Sequence, residues 1–225
     1  MKIDAVVNQR RRAPSVEKTD EYTKQNEELW DSRAETYDKR FGFTRWTQKK
    51  LVSILELGEN PYFLDIGCGT GWAVRYAANL TNGRGEFYGI DNSSEMIKKV
   101  EASSSSYKNI HFYKANAESL PFGNNFFDLI ISTNAFHHFA SPDKVLKEAY
   151  RVLKPKGRIY IFDVTADNFM IRILDRLSKK IEQGHVKIYS TREYQTLFEN
   201  SGLQYMGHKS VIVSMKTHIG EKVSQ

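Results

Sequence analysis

Cysteine is almost absent from this chain, which has one such residue, Cys68. A single thiol cannot form an internal disulfide, and it has no second cysteine with which to build a metal cluster. Long apolar runs are also missing, since stretches such as 129–131 and 159–162 fall far short of the roughly 20 residues of a membrane-spanning helix. The first residues contain no apolar segment of signal-peptide length, so we expect a cytoplasmic protein without a transmembrane segment.

An excess of charge of one sign is confined to the C-terminal third. Residues 1–150 contain 20 Lys+Arg and 20 Asp+Glu, whereas residues 151–225 contain 13 and 7. A basic surface suits an anionic substrate, a membrane surface or RNA, and it is also found as an ordinary solvated surface. This third has no run of more than two Lys or Arg and no interleaved aromatic platforms. These features disfavour nucleic acid as a partner.

The N-terminal part of the chain divides into an arm and a helical segment. Residues 1–25 are polar and aperiodic, and we expect a flexible arm. Apolar residues then recur at steps of four, three and four, which is typical of one helix face. That face consists of Trp30, Ala34, Tyr37 and Phe41. A second helix is predicted over 43–57, so that residues 26–58 form a helical segment and residues 59–225 one further domain.

Strand and helix patterns alternate in residues 59–225. Strands are predicted at 62–66, 86–90, 110–113, 127–132 and 158–164, with a terminal hairpin at 203–207 and 210–215. Strands that alternate with helices form parallel units with right-handed crossovers. The expected fold is therefore α/β, a doubly wound and mostly parallel seven-stranded sheet with a C-terminal antiparallel hairpin. Ligands bind such sheets beyond the carboxyl ends of the strands, where the strand order reverses.

The segment FLDIGCGTGW (63–72) places three glycines directly after the first strand. Gly67, Gly69 and Gly71 give G-x-G-x-G, whereas a dinucleotide fingerprint has G-x-G-x-x-G/A. Trp72 stands where the third small residue of that fingerprint belongs. A phosphate-binding loop needs a lysine after its last glycine, and none follows here. The turn therefore fits NAD poorly, and an NAD-dependent oxidoreductase is kept only as an alternative.

The pattern D-x-G-x-G-x-G resembles motif I of the class I S-adenosylmethionine-dependent methyltransferases. Later segments resemble further motifs of that family in the same order along the chain. These segments are Asp91 after the second strand, KANAESLPF (114–122), FDLIISTNAFHHF (127–139) and VLKEAYRVLKPKGRIYI (145–161). NEELWDSRAETYDKRF (26–41) is similar to an N-terminal segment of the type 11 subgroup, which includes the ubiquinone and menaquinone C-methyltransferases. There the segment forms a lid over the cofactor.

The resemblance implies that S-adenosylmethionine is the cofactor and S-adenosylhomocysteine the product. It implies that Asp91 accepts hydrogen bonds from the ribose hydroxyls and that the 114–122 segment binds the adenine amino group. The family usually has aspartate at the position of Asn116, whose amide oxygen accepts the same hydrogen bond without charge assistance. The whole set implied for cofactor binding is Tyr37, Asp65, Gly67, Cys68, Gly69, Gly71, Asp91, Asn92, Met96, Asn116, Ala117, Glu118 and Asn134.

Two adjacent histidines, His137 and His138, follow the fourth strand. No second cluster of Cys, His and carboxylates has ligand spacing, so we expect no metal. His138 is the candidate general base beside the methyl group, and the alternative is a loop histidine that bonds to the backbone. Tyr150 and Lys154 match the Y-x-x-x-K pair of short-chain dehydrogenases, but Pro155 ends the helix at once.

The expected function is methyl transfer from S-adenosylmethionine to a small-molecule acceptor. An RNA methyltransferase, an NAD-dependent oxidoreductase and a non-catalytic cofactor-binding module are the alternatives. A substrate-side insertion is expected near 165–190, where 169–181 predicts an amphipathic helix that packs on the sheet, covers the site or binds a membrane. The sequence identifies neither the acceptor nor the oligomeric state.

Overall fold

A computed structural model of the chain describes residues 16–37, 42–181, 186–212 and 214–224. Its strands are β1 (Tyr62–Ile66), β2 (Glu86–Asp91), β3 (Ile110–Lys114), β4 (Phe127–Thr133), β5 (Leu153–Val164), β6 (Gln204–Ile212) and β7 (Met215–Glu221). They form one seven-stranded sheet in the order β3-β2-β1-β4-β5-β7-β6. Strands β1 to β5 pair in parallel, and β7 runs antiparallel to both β5 and β6. The predicted fold is confirmed.

Seven α-helices accompany the sheet in the described part of the chain. They are α1 (Val16–Arg33), α2 (Gly42–Val52), α3 (Trp72–Leu80), α4 (Ser94–Ser104), α5 (Pro142–Val152), α6 (Phe169–Ile181) and α7 (Thr191–Asn200). Side-chain caps mark the starts of α4 and α7. The hydroxyl of Ser93 accepts the N–H of Met96 at 3.1 Å, and Ser190 and Glu193 form a capping box at the start of α7.

The core lies on both faces of the sheet because side chains alternate along each strand. In β1, Leu64 and Ile66 pack into a cluster with residues of α5 and α7, while Phe63 packs into a second cluster with residues of α2, α3 and α4. Burying each large apolar side chain contributes roughly 1.5 to 3 kcal/mol to stability. Both faces are thus covered, and the loops at the carboxyl ends of the parallel strands remain available for a site.

The N-terminal boundary differs from the expected one. Helix α1 begins at Val16, inside the range 1–25 that we expected to be a flexible arm, and residues 1–15 lie outside the described residues. The helix face predicted from Trp30 onward is also interrupted. A 3-10 turn over Ala34–Thr36 follows α1 directly, so Tyr37 does not belong to the same helix as Trp30.

The terminal hairpin has its turn in a different place from the predicted one. We expected a turn near 208–209, but β6 continues through Gly207 and β7 begins only at Met215. Gly207 has a φ of 102° and lies where the pairing register shifts between Tyr205 and Gly207. The glycine therefore belongs to a bulge within the strand, a role that the sequence pattern does not distinguish from a turn.

No helix in the described ranges combines the length and the apolar character required to cross a membrane.

Candidate active site

The glycine turn joins β1 to α3 through three left-handed residues. Gly67, Gly69 and Gly71 have φ values of 77°, 52° and 69°, a region that glycine adopts without steric cost. A Cβ on Gly67 would lie 2.6 Å from the Cβ of Ala135, and one on Gly71 would lie 2.3 Å from Cγ2 of Val100. A Cβ on Gly69 would meet only ordinary contacts of 3.7 Å or more. Two glycines thus permit close packing, and the middle one leaves the backbone open.

Asp91 fixes this turn against the end of β2. Its Oδ2 accepts the backbone N–H of Gly69 at 2.8 Å, and its Oδ1 accepts that of Ser93 at 2.9 Å. Burial raises the pKa of Asp91, although the N–H groups of Ser93 and Gly69 oppose that rise. The carboxylate therefore lies between the glycine turn and the start of α4, and it presents an acceptor to both.

Asp65 is a buried carboxyl group at the end of β1. Among the described residues, neither of its side-chain oxygens has a hydrogen-bond partner. Burial raises the pKa of Asp65 to about 8, and the negative charge of Asp91 adds to the rise. Burying such a group without a partner costs free energy. A ligand that brings a donor or a positive charge to this place would remove that cost.

A cavity with two adjoining parts lies beyond the carboxyl ends of the central strands. The enclosed space is about 80 Å³ in the first part and about 60 Å³ in the second, and both parts are open to solvent at their mouths. Of the residues predicted for cofactor binding, the first part is lined by Tyr37, Gly67, Gly69, Asp91, Asn92, Met96 and Asn134. The second part is lined by Gly67, Asp91, Asn92, Asn116, Ala117 and Glu118.

Three predicted residues do not line either part of this cavity. They are Asp65, Cys68 and Gly71. Cys68 is buried, and burial raises the pKa of its thiol well above the usual value, with Asp91 and Asp65 adding to the rise. The thiol is therefore held in its neutral form.

Helix α1 supplies a wall of the cavity that begins before the segment 26–41. Its lining residues are Tyr22, Thr23, Asn26 and Trp30. The helix is held at the start of α4, where Asp31 Oδ1 accepts the hydroxyl of Ser93 at 2.5 Å and the N–H of Glu95 at 3.1 Å. Asn92 also donates to the carbonyl of Thr23 at 3.2 Å. The only sequence signal for this wall is the W-x-x-R-A-x-x-Y segment.

Trp30 and Tyr37 meet across the cavity although they belong to different elements. Their rings are edge-on at a centroid distance of 6.1 Å, and the ring of Tyr37 lies 3.7 Å from the position of a Cβ on Gly69. The proximity expected from their helical spacing is thus present, but the turn after α1 produces it.

The two histidines have different surroundings. His138 is buried, lines both parts of the cavity and packs edge-on against Trp30 at a centroid distance of 5.1 Å. His137 lines neither part, and its Nδ1 lies 2.8 Å from Oδ1 of Asp163. Burial acts to raise the pKa of Asp163, but the charge and hydrogen bonds of His137 and the N–H of Val164 outweigh it, so that the pKa is lowered.

Asn134 links the fourth strand to α2. It adopts a left-handed φ of 53°, and its Nδ2 donates to Oγ1 of the buried Thr47 at 3.0 Å. The side chain thus lines the cavity while it is tied to a second element. Among the described residues, no group of three or more His, Cys, Asp and Glu is placed to hold a metal ion.

Comparison with known proteins places this geometry in a family. The profile of a family described as a methyltransferase domain matches residues 64–161. The uncharacterized methyltransferase YcgJ of Bacillus subtilis (strain 168) is 30% identical over 185 residues, which is 80% of this chain and 72% of that protein. This chain is a class I S-adenosylmethionine-dependent methyltransferase of type 11. It is an enzyme of that family, and S-adenosylmethionine is its cofactor.

Further matches are a second curated relative and two solved structures with the same fold. The ubiquinone/menaquinone biosynthesis C-methyltransferase UbiE of Wigglesworthia glossinidia brevipalpis is 27% identical over 188 residues, or 81% of this chain and 70% of that one. A SAM-dependent methyltransferase from Aquifex aeolicus has the same fold, with a TM-score of 0.70 at 22% identity, covering 86% of this chain and 98% of the other. A chain from the complex between the Haloferax volcanii Trm112 methyltransferase activator and a methyltransferase also has this fold. Its TM-score is 0.76 at 21% identity, and the match covers 87% of this chain and 98% of the other.

Proposed function

We propose that this methyltransferase transfers the methyl group of S-adenosylmethionine to a small-molecule acceptor. The observation that carries the proposal is the cavity itself, which α1 walls off instead of leaving an open groove. A duplex or a folded RNA needs an extended basic surface, whereas a walled cavity suits a compact ligand. Relatives named as ubiquinone/menaquinone biosynthesis C-methyltransferases support an acceptor of this kind.

The residues around the cavity suit the cofactor in three places. Asp91 at the end of β2 offers carboxylate oxygens to the ribose hydroxyls, and hydrogen bonds to a charged group contribute roughly 1.5 to 3 kcal/mol. Asn116 lies in the second part of the cavity and offers its amide oxygen to the adenine amino group. Asp65 does not line the cavity but lies just before the glycine turn; its buried carboxyl has no partner among the described residues, and the methionine ammonium would bring the opposite charge.

The open backbone at Gly69 accommodates the methionine end of the cofactor in this proposal. When bound, S-adenosylmethionine supplies a methyl group that its sulfonium has already made electrophilic. The protein then has to hold the acceptor in line, an effect that contributes roughly 7 to 11 kcal/mol to lowering the barrier. The helical segment 26–58, which includes Trp30, acts as a lid that excludes water while the two reactants are aligned.

His138 is the proposed general base when the methyl acceptor must lose a proton. It lines both parts of the cavity, which is the position that a base beside the methyl group requires. His137 has the partner that usually orients a catalytic imidazole, but it lines neither part of the cavity, so we assign it a positioning role.

Replacing Asp91 by asparagine tests the cofactor assignment. We expect Asp91→Asn to weaken S-adenosylhomocysteine binding roughly 10- to 100-fold, measured by calorimetry, because one acceptor oxygen becomes a donor. Asp128→Asn is the matched control, since Asp128 also accepts a backbone N–H, that of Tyr62 at 2.9 Å, but does not line the cavity. Unchanged affinity in Asp91→Asn, or equal losses in both variants, would contradict the proposal.

A thermal-shift comparison separates the cofactor classes. S-adenosylhomocysteine should raise the unfolding midpoint of the wild-type protein, whereas NAD at the same concentration should not. A shift with NAD alone would favour the oxidoreductase alternative.

A further inference from the structure

Helix α6 turns a broad apolar face to solvent. Its exposed apolar residues are Phe169, Met170, Ile173, Leu174 and Leu177, of which Phe169 and Met170 are 73% and 62% exposed. The spacing of these residues places them along one side of the helix. A contiguous exposed apolar patch of this kind marks an interaction surface, whereas single exposed apolar residues do not.

Polar contacts hold α6 in place. On the side opposite the apolar face, Asp175 is buried and its Oδ1 accepts the N–H of Ile188 at 2.7 Å. At the edge of the apolar face, Nε of the exposed Arg172 donates to the carbonyl of Ala166 at 2.9 Å. An ordinary surface helix directs its apolar side inward and its charged side outward. Here the acidic residue faces the protein and the apolar residues face solvent, so the exposed face is part of the folded arrangement.

Within α6, exposed basic residues lie beside this apolar face. Arg172 and Arg176 are exposed and follow the same side of the helix, one turn apart. Asp175 is the only acidic residue in α6, and it is buried. Among the described residues, neither arginine pairs with an acidic side chain. An apolar face beside cations is the pattern of helices that lie in the interface of a membrane.

We propose that α6 docks this methyltransferase onto an anionic phospholipid surface. The apolar face enters the boundary between headgroups and acyl chains, and Arg172 and Arg176 contact lipid phosphates. A second copy of the chain is a poorer occupant, because a two-fold contact through this face would bring the same arginines together without an acidic partner. An anionic bilayer supplies both an apolar interior and the opposite charge.

Hydrogen bonds through residues 186–188 connect α6 to the loop that carries the two histidines. The N–H groups of Val186 and Lys187 donate to the carbonyl of His137 at 3.1 and 3.2 Å, and the N–H of Ile188 donates to Asp175 in α6. His137 precedes His138, which lines the cavity. Docking through α6 would therefore hold this side of the cavity near the bilayer. The docking itself does not depend on which acceptor is methylated.

Vesicle co-sedimentation of the full chain tests the proposal. We expect binding to vesicles of phosphatidylcholine mixed with phosphatidylglycerol, binding that weakens as salt is added, and much weaker binding to phosphatidylcholine alone. Leu174→Gln should reduce binding about tenfold through the lost apolar contact, and Arg176→Gln about fivefold through the lost charge. The matched controls are Leu80→Gln, a leucine of α3 that is also about half exposed, and Arg84→Gln, and both should bind as the wild type does.

Three results would overturn the proposal. The first is equal binding to neutral and anionic vesicles or binding to neither, and the second is wild-type binding by Leu174→Gln. The third is that the chain does not bind vesicles but forms a concentration-dependent dimer, detected by light scattering, and that Leu174→Gln abolishes this dimer. S-adenosylhomocysteine affinity, measured in the same variants, should be unchanged, so that failure of docking is distinguished from failure of the proposed cofactor site.

Discussion

The carboxylate of Asp163 holds both the side chain and the backbone of His137. Nδ1 of the imidazole lies 2.8 and 2.9 Å from the two carboxylate oxygens, and the backbone N–H of His137 donates to Oδ2 at 3.0 Å. Asp163 is fully buried at the end of β5, whereas His137 follows β4. The pair therefore joins two neighbouring strand ends directly beside the cavity.

Removing one partner of this pair should be costly. We expect His137→Ala to lower the free energy of unfolding by about 3 kcal/mol, because it leaves a buried carboxylate without its counter-charge. Urea denaturation measures the loss. The control is His111→Ala, whose imidazole lies 2.9 Å from Glu86 on a partly exposed surface, and it should cost under about 1 kcal/mol. Equal losses in the two variants would contradict the buried-pair explanation.

Because of the same pair, the free energy of unfolding should depend on pH in the acidic range. Since the pKa of Asp163 is lower in the folded protein than in the unfolded chain, its contribution is complete above the unfolded value of about 4. The contribution is lost as pH falls through the lower folded value. We therefore expect the wild type to lose more stability below about pH 4 than Asp163→Asn does, in denaturation curves recorded across that range.

Alanine at two glycines of the turn should have different effects. Gly71→Ala combines a left-handed backbone with contacts of 2.3 Å to Val100 and 2.7 Å to Phe112, so we expect a loss of about 3 kcal/mol or more in stability. The Cβ of Gly69→Ala would meet only ordinary contacts with Tyr37, so this variant should cost only the left-handed penalty of about 1 to 2 kcal/mol. Its larger effect should be on S-adenosylhomocysteine affinity, because Gly69 lines the cavity. Chemical denaturation and calorimetry measure the two quantities, and a reversed order would contradict the packing argument.

Cofactor binding should release a proton from Asp65. In the free protein burial raises the pKa of Asp65 to about 8, and a ligand ammonium beside the carboxyl would lower it. S-adenosylhomocysteine affinity should therefore rise between about pH 6 and 8, by at most tenfold per pH unit. Calorimetry in buffers of different ionisation enthalpy counts the released protons. Asp65→Asn should show no release, and wild-type protein without release would exclude this role for Asp65.

Without the cofactor, the contribution of Asp65 to the stability of the protein should fall as pH rises. A carboxyl group whose folded pKa is raised binds more protons in the folded state, so its contribution is full below the unfolded value of about 4 and declines as pH rises toward 8. We expect Asp65→Asn to flatten this decline in thermal unfolding of the ligand-free protein.

Aspartate at position 116 should preserve or improve cofactor binding. Oδ1 of Asn116 accepts the N–H of Glu118 at 2.9 Å, and a carboxylate can keep that bond while it offers a charged acceptor to the adenine amino group. We expect S-adenosylhomocysteine affinity in Asn116→Asp to equal or exceed the wild type by up to about fivefold. Asn116→Leu, which removes the acceptor, should weaken it. A large loss in Asn116→Asp would show that adenine binds elsewhere.

Local sequence patterns predict the features of this protein that depend on short spacing. The buried strand before Gly67, the left-handed glycines and the helix that follows them lie within a few residues of one another, so periodicity and turn chemistry identify them. The acid at the end of the second strand, Asp91, is recognised for the same reason. Most of the residues implied for cofactor binding consequently line one cavity.

Features that depend on distant contacts are not predictable in this way. Helix α1 is polar, and it is held by bonds such as that between Asp31 and Ser93, 62 residues apart. The pairing of His137 with Asp163 spans 26 residues and two strands, which is why the sequence singles out the other histidine as readily. Gly207 favours a turn locally, but strand pairing with β7 makes it a bulge.

The anchoring of α1 has a consequence for the kinetics of turnover. The helix walls the cavity, and Asp31 and Thr23 tie it to the residues just after β2, next to Asp91. In the arrangement proposed above, the spent cofactor leaves past a helix whose attachment lies beside the residues that bind it. We therefore expect departure of S-adenosylhomocysteine to be coupled to release of α1, so that the rate of this release limits how fast the enzyme can begin another cycle.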